Sequence, residues 1–212
     1  MKKLIKGIIN FRQCKKDGYC EKYAFLADMQ TPDALFIACC DSRVVPNVFA
    51  STDPGDLFVL RNIGNIVPPY QVLGSTETSV AAAVEYALLE LKVNDIIVCG
   101  HSGCGAMKAI LEQQQVHPSI SSWVNIARHS YEQFLSENIG IGEHLSPVDQ
   151  LSQINVLQQL EHLKSYPSVS EQLKQGVLTI HGWWFDLKTA DVFQYSSTEN
   201  RFILIDEESL QS

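Results

Sequence analysis

Positively charged residues are in short supply in this chain. Lys and Arg number 16 against 24 Asp and Glu, so the 212 residues carry a formal net charge of −8. That balance disfavours nucleic acid and anionic membrane surfaces as main partners. Long apolar runs are missing too: nothing approaches the ~20 residues a membrane-crossing helix needs. The basic start, MKKLIKGIINFRQCKK, has only a short apolar part, and no small-residue cleavage site follows it. A cytoplasmic protein with no membrane association is the simplest expectation. Internal repeats, low-complexity tracts and linkers are also absent, so one domain over residues 1–212 is expected, with 45% hydrophobic residues to build its core.

Disulfide staples are not needed at this length. The six cysteines are Cys14, Cys20, Cys39, Cys40, Cys99 and Cys104. They read as lying in apolar strands rather than loops, which suits buried or metal-bound thiols, with three of them small core residues.

What is present is alternation. Leu4, Ile5, Ile8, Ile9 and Arg12 follow helical spacing, predicting a helix over 2–12, and a second over 19–29. ALFIAC (34–39), DLFVLRN (56–62) and DIIVCG (95–100) read as buried strands. Between the last two, the alanine-rich 79–93 reads as a helix. CGAMKAILEQQQ (104–115), 121–138 and 147–164 also read as helices. GVLTIHGWWFDLKTADVFQY predicts a strand, a turn near Lys188 and Thr189, and a returning strand, with RFILID a last edge strand. The implied architecture is α/β: a mostly parallel central sheet flanked by helices, with an antiparallel C-terminal edge and an N-terminal helical arm. Ligands of such sheets sit beyond the carboxyl ends of the strands.

Two of those ends carry unusual chemistry: Cys39-Cys40-Asp41-Ser42-Arg43 and Gly100-His101-Ser102-Gly103-Cys104-Gly105. The H-x-x-C spacing of His101 and Cys104 lets both side chains face one point at a strand-to-helix turn. Cys104 would open a helix, whose positive end lowers a thiol's pKa. A third ligand must come from the other strand end. Two thiolates and an imidazole suit zinc, with a fourth position left open, the pattern of a catalytic site. No second C-x-x-C or H-x-x-C exists to close the shell. Strand alternation places Cys39 and Asp41 on one side and Cys40 and Ser42 on the other, so it favours Cys39 as the ligand and Cys40 as a small buried bystander. Asp41 then falls close to the metal, and an ion pair with Arg43 keeps its carboxylate ionised and aimed. From there Asp41 can accept a hydrogen bond from a zinc-bound hydroxide or displace the water and bind the metal itself.

These residues resemble the β-class carbonic anhydrases, whose motifs read Cys-x-Asp-Ser-Arg and His-x-x-Cys-Gly. RNIGNIVPP (61–69), the run from Ala81 to Leu111 and the tail HGWWFDLKTADVFQY are similar to the plant and cyanobacterial branch. The resemblance spans about residues 20–195. It implies Zn2+ held by Cys39, His101 and Cys104, a catalytic dyad of Asp41 and Arg43, and substrate contacts from Gln30 and the Gly105 N–H. The implied reaction is reversible hydration of carbon dioxide to bicarbonate and a proton, by attack of zinc-bound hydroxide in a single catalytic domain. It also implies a homodimer, or a higher multiple of dimers, with residues 1–30 wrapping a partner chain.

Three positions depart from the family pattern. Cys40 stands where serine is common. Phe36 stands where one branch has the tryptophan of an inhibitory bicarbonate site, so that regulation is expected to be absent. Glu77 stands near the place of a plant tyrosine that reaches the partner's cleft. The proton shuttle is open: His117, His129, His144, His162 and His181 qualify by residue type alone, and surface or core packing is expected for each. Of the rival readings, a serine hydrolase needs G-x-S-x-G, and GHSGC puts Cys104 where the last glycine belongs. A non-catalytic zinc module on the same fold would not need an open fourth position. A relative acting on another small heterocumulene, such as carbon disulfide, would differ mainly in cleft shape.

Overall fold

Three apolar runs of six or seven residues form the heart of the molecule. In the computed structural model, which describes residues 1–70, 78–114, 116–136 and 144–210, they are β1 (Ala34–Cys39), β2 (Leu57–Asn62) and β3 (Asp95–His101). β1 is buried along its whole length, as a strand covered on both faces must be. β4 (Thr179–Phe185), β5 (Val192–Ser196) and β6 (Arg201–Leu204) complete a six-stranded sheet of order β2-β1-β3-β4-β5-β6. β1 to β4 pair in parallel, while β4–β5 and β5–β6 are antiparallel. The expected sheet, with its antiparallel C-terminal edge, is the one observed. From β1 the chain crosses to one neighbour, β2, and then back over to the other, β3. The gap between the ends of β1 and β3 is therefore the topological switch point, where sheets of this kind take ligands.

Strand alternation divides the core. Leu35, Ile37, Ile96 and Val98 face one layer of helices, including α4 (Ser79–Glu85), α8 (Pro147–Lys164) and α9 (Pro167–Lys174). Phe36, Ala38, Ile97 and Cys99 face the other side, covered by α3 (Pro46–Phe49) and the β4–β5 region. There Phe36 meets Trp183 edge-on at 5.8 Å, and Phe49 stacks on Phe185 at 4.6 Å. α8 carries every signal of a well-started helix. Ser146 caps it by accepting from the Asp149 N–H, Pro147 opens it, and His162 and Lys164 end it. It lies close on the sheet because Gly100 has no side chain: a Cβ there would come within 2.7 Å of Val156 Cγ2.

Helix bounds differ from expectation in several places. α1 runs Lys2–Cys14 and α2 Lys16–Leu26, so the second helix starts and stops three residues early. The 79–93 segment is α-helical to Glu85 and then loosens into a π-helical turn over Tyr86–Glu90. α5 spans only Gly105–Leu111, since Gln113 takes a left-handed φ of 47° and the chain turns away. The 121–138 helix is instead α6 (Pro118–Val124), a tight turn and α7 (Arg128–Ser136); its last two positions lie outside the described residues. α9, begun by Pro167, was not anticipated.

α1 and α2 form the expected arm. Neither buries a single residue. Leu4, Ile5, Ile8 and Ile9 are 48–68% exposed. Near the body, Lys22 pairs with Asp53 and the Leu26 side chain lies over Gly55. Among the described residues, no helix is long and apolar enough to cross a membrane.

Candidate metal centre

Cys39 ends β1 and His101 ends β3, with Cys104 three residues on, at the cap of α5. One ligand atom from each lies within 4.8 Å of the other two, and all three residues are buried. His101 is fully buried, and its Nδ1–H donates to the Ser102 carbonyl at 2.9 Å. Since a carbonyl can only accept, the proton sits on Nδ1 and the Nε2 lone pair is left bare. Nε2 is buried with no hydrogen-bond partner. A bare imidazole nitrogen buried beside two thiols is costly without an electrophile to receive it, and the donor set is the one zinc takes. The residues present therefore fit the metal.

The thiols are unequal. The hydrogen bond with Cys104 is the largest influence holding the Cys39 thiol low. His101 and the backbone N–H groups of Gly64 and Asp41 act in the same direction, and burial opposes them. Cys104 is pushed up by that same bond and by burial. A divalent cation held by both sulfurs would take the place of any thiol proton there. Cys99, wholly buried among apolar neighbours, is raised by desolvation and is plain core.

Asp41 lies just past Cys39 and is gripped by Arg43: Nε donates to Oδ1 at 2.9 Å and Nη2 to Oδ2 at 2.7 Å. The Arg43 backbone N–H adds a third bond at 3.0 Å. The guanidinium holds this carboxyl well below the usual carboxylate range. Arg43 also reaches the Gly103 carbonyl at 3.4 Å, and the Gly103 N–H donates to Asp149 at 2.7 Å. One dyad thus touches both ligand loops.

Other expected site residues fare differently. Gly105 is exposed at the start of α5, and a Cβ on it would meet open space. Gln30 is exposed and lines a groove of about 870 Å³ with Tyr23, Met29, Tyr86 and others. None of that lining belongs to the Cys39–His101–Cys104 cluster. Glu77 lies outside the described residues. Cys40 is exposed, not buried: it sits one residue past β1, where alternation carries its side chain off the packed end of the sheet. Nor do most of the cysteines sit in strands. Cys14 and Cys20 are exposed on the arm's helices, and only Cys39 and Cys99 are strand residues. His162 is tied to the Val67 carbonyl at 2.7 Å and His181 to Asp95 at 2.7 Å, while His129 pairs with Glu132 on the surface.

Two supports escaped the sequence reading. Arg61 of β2 clamps the end of β1, donating to the Cys39 carbonyl at 2.9 and 3.0 Å and to the Asp41 carbonyl at 2.7 Å. Its place in RNIGN was the available signal. The other is a polar stripe on α8, where Asp149, Ser152, Asn155, Gln159 and His162 hydrogen-bond the backbone of the loops around the site. Polar residues on a helix read as a solvated face, so nothing in their spacing announced it.

The comparisons with known proteins agree with this geometry. Residues 34–192 match the family model described as carbonic anhydrase. A carbonic anhydrase of Pseudomonas aeruginosa is 40% identical, covering 98% of this chain and 93% of its own. One of Synechocystis is 38% identical, over 96% and 74%. Among solved structures, the β-carbonic anhydrase CcaA superposes with a TM-score of 0.88 at 36% identity, over 97% and 99%. Tetrameric β-carbonic anhydrases of Sordaria macrospora reach a TM-score of 0.80 at 28% identity, over 91% and 95%. This chain belongs to the carbonic anhydrase family, in its β class. It is an enzyme, a carbonate dehydratase, and its reaction is the hydration of carbon dioxide.

Proposed function

We propose that the hydration is zinc-dependent, with Cys39 Sγ, His101 Nε2 and Cys104 Sγ holding the ion. The observation that carries this is the bare, buried Nε2 of His101 within 4.8 Å of two buried thiols. Zinc bound there would supply a Lewis acid that makes water a nucleophile near neutral pH. Asp41, fixed in its ionised form by Arg43, orients the attacking water and takes up its hydrogen bond. Gly105 and Gln30 contact the substrate oxygens, Gln30 once a partner chain completes the cleft. Were zinc held there, Asp41 would be the residue to exchange Arg43 for the ion at acid pH, a switch that structures at acid and alkaline pH would test. Phe36, packed against Trp183 and Phe49, stands where one branch has the tryptophan of an inhibitory bicarbonate site, and hydration is expected to lack that inhibition.

The working unit is a homodimer or a multiple of dimers, located in the cytoplasm. Residues 1–30 pack on the partner chain, which explains why an apolar, basic arm buries nothing at home. The deciding experiment measures metal content beside stopped-flow hydration of carbon dioxide. One zinc per chain, and activity lost on chelation and regained on adding zinc, are expected. Full activity in metal-free protein would overturn the zinc reading.

A further inference from the structure

We propose that Asn155 is a positioning residue for the Cys39 sulfur, acting through the Gly64 peptide groups. The inference rests on the zinc reading above. Asn155 is 1% exposed on α8, and its Nδ2 donates to the Gly64 carbonyl at 3.1 Å. Its oxygen accepts from Gln159 Nε2 at 2.9 Å and from Ser130 at 3.3 Å, so the amide is oriented and the nitrogen must face Gly64. Gly64 in turn donates its N–H to Cys39 Sγ at 3.4 Å. The two polar groups of Gly64 belong to adjoining peptide planes hinged at one Cα, so holding the carbonyl restricts where the N–H points.

The position also demands glycine. Its φ is +77°, and a Cβ would lie 2.9 Å from Ala106 Cβ. The loop is pinned on both sides, by Trp123 Nε1 on the Ile63 carbonyl at 2.7 Å and by Asn62 on both backbone groups of Ile66. An N–H aimed at a thiolate draws electron density from the sulfur, which then donates less charge to a bound cation. Asn155 thereby sets the donor strength of one ligand through a loop glycine 91 residues away in sequence.

The test uses the full-length protein loaded with cobalt(II), whose thiolate charge-transfer band reports sulfur donor strength, and follows metal release to a chelator. Asn155→Ala and Asn155→Ser remove the bond to Gly64. The control, Tyr166→Phe, removes a buried hydrogen bond to the Pro68 carbonyl in the same stretch of chain without touching Gly64. Both Asn155 variants are expected to move the band to longer wavelength, because the freed sulfur donates more charge, and to release metal about 10-fold faster, because that sulfur is no longer held in place, the lower end for residues supporting a ligand. Tyr166→Phe should do neither. An unmoved band in the Asn155 variants, or an equal shift in Tyr166→Phe, overturns the proposal. Wild-type protein with no thiolate-to-cobalt band would instead sink the metal reading itself. Should the variants not fold, NMR-active cadmium in the wild type decides: the Gly64 amide proton should show scalar coupling to the metal, and no coupling overturns the proposal.

Discussion

The loops around the metal centre and the N-terminal arm are opposites. Between Asn62 and Val67, backbone groups are met by side chains from β2, α6 and α8, and the His101–Cys104 turn is met by Asp149 and Ser152. In α1 and α2 no residue is buried, and the apolar side chains face outward. One region is completed within the chain; the other has its apolar face still to cover. The contrast separates a site whose ligand geometry a single chain can set from an element whose stability has to come from elsewhere.

The sharpest way to break that contrast is to attack the centre directly. Cys39→Ser or His101→Ala should abolish both zinc retention and hydration, read by metal analysis and stopped-flow assay. A Cys39→Ser protein with full zinc and normal turnover refutes the ligand assignment. Next in size, Asp41→Ala should keep most of the zinc while lowering the rate about 10- to 100-fold, the scale of lost support around a metal. The sign of its pH behaviour follows from its depressed carboxyl. The stability from the Arg43 pair is present throughout the range above ordinary carboxylate titration. It is lost only as acid carries the pH down through the lowered value. Thermal unfolding should therefore show the Asp41→Ala deficit unchanged from neutral to alkaline pH and vanishing only in strong acid.

Smaller still is Gly64→Ala. The left-handed backbone alone costs about 1–2 kcal/mol, and the overlap with Ala106 adds to it. A loss of unfolding free energy of that order is expected in denaturant titration, and an unchanged value would mean that the loop is not held as described. The arm offers the reverse result. Ile5→Asp with Ile8→Asp should leave the unfolding free energy of the separated chain within about 0.5 kcal/mol, as for exposed positions. Sedimentation should nevertheless show the assembly dissociating. A stable dimer carrying both substitutions would remove the arm from the interface.

Much of this was legible beforehand because it rests on local signals. The strands announced themselves as apolar runs, and the Cys39–His101–Cys104 cluster through Cys-x-Asp-Ser-Arg and His-x-x-Cys-Gly. Alternation picked Cys39 over Cys40, but not the exposure of Cys40, which depends on where packing stops at the sheet's end. The early end of α5 at Leu111 reflects backbone geometry at Gln113, a residue with no breaker chemistry. Asn155 and Gln159 were illegible for a different reason. Their partners are backbone groups far along the chain, and a backbone group has no sequence signature.

That distance matters for how the protein comes to be. The side chains of α8 that steady the 62–67 turn join residues 91 to 95 positions apart. A chain emerging from the ribosome has made all three sulfur and nitrogen donors long before Asn155 and His162 exist to brace them. Pairings of such span form late and slowly. Any metal offered early to the Cys39–His101–Cys104 cluster would find loose donors, so the final geometry of that cluster belongs among the closing events of folding.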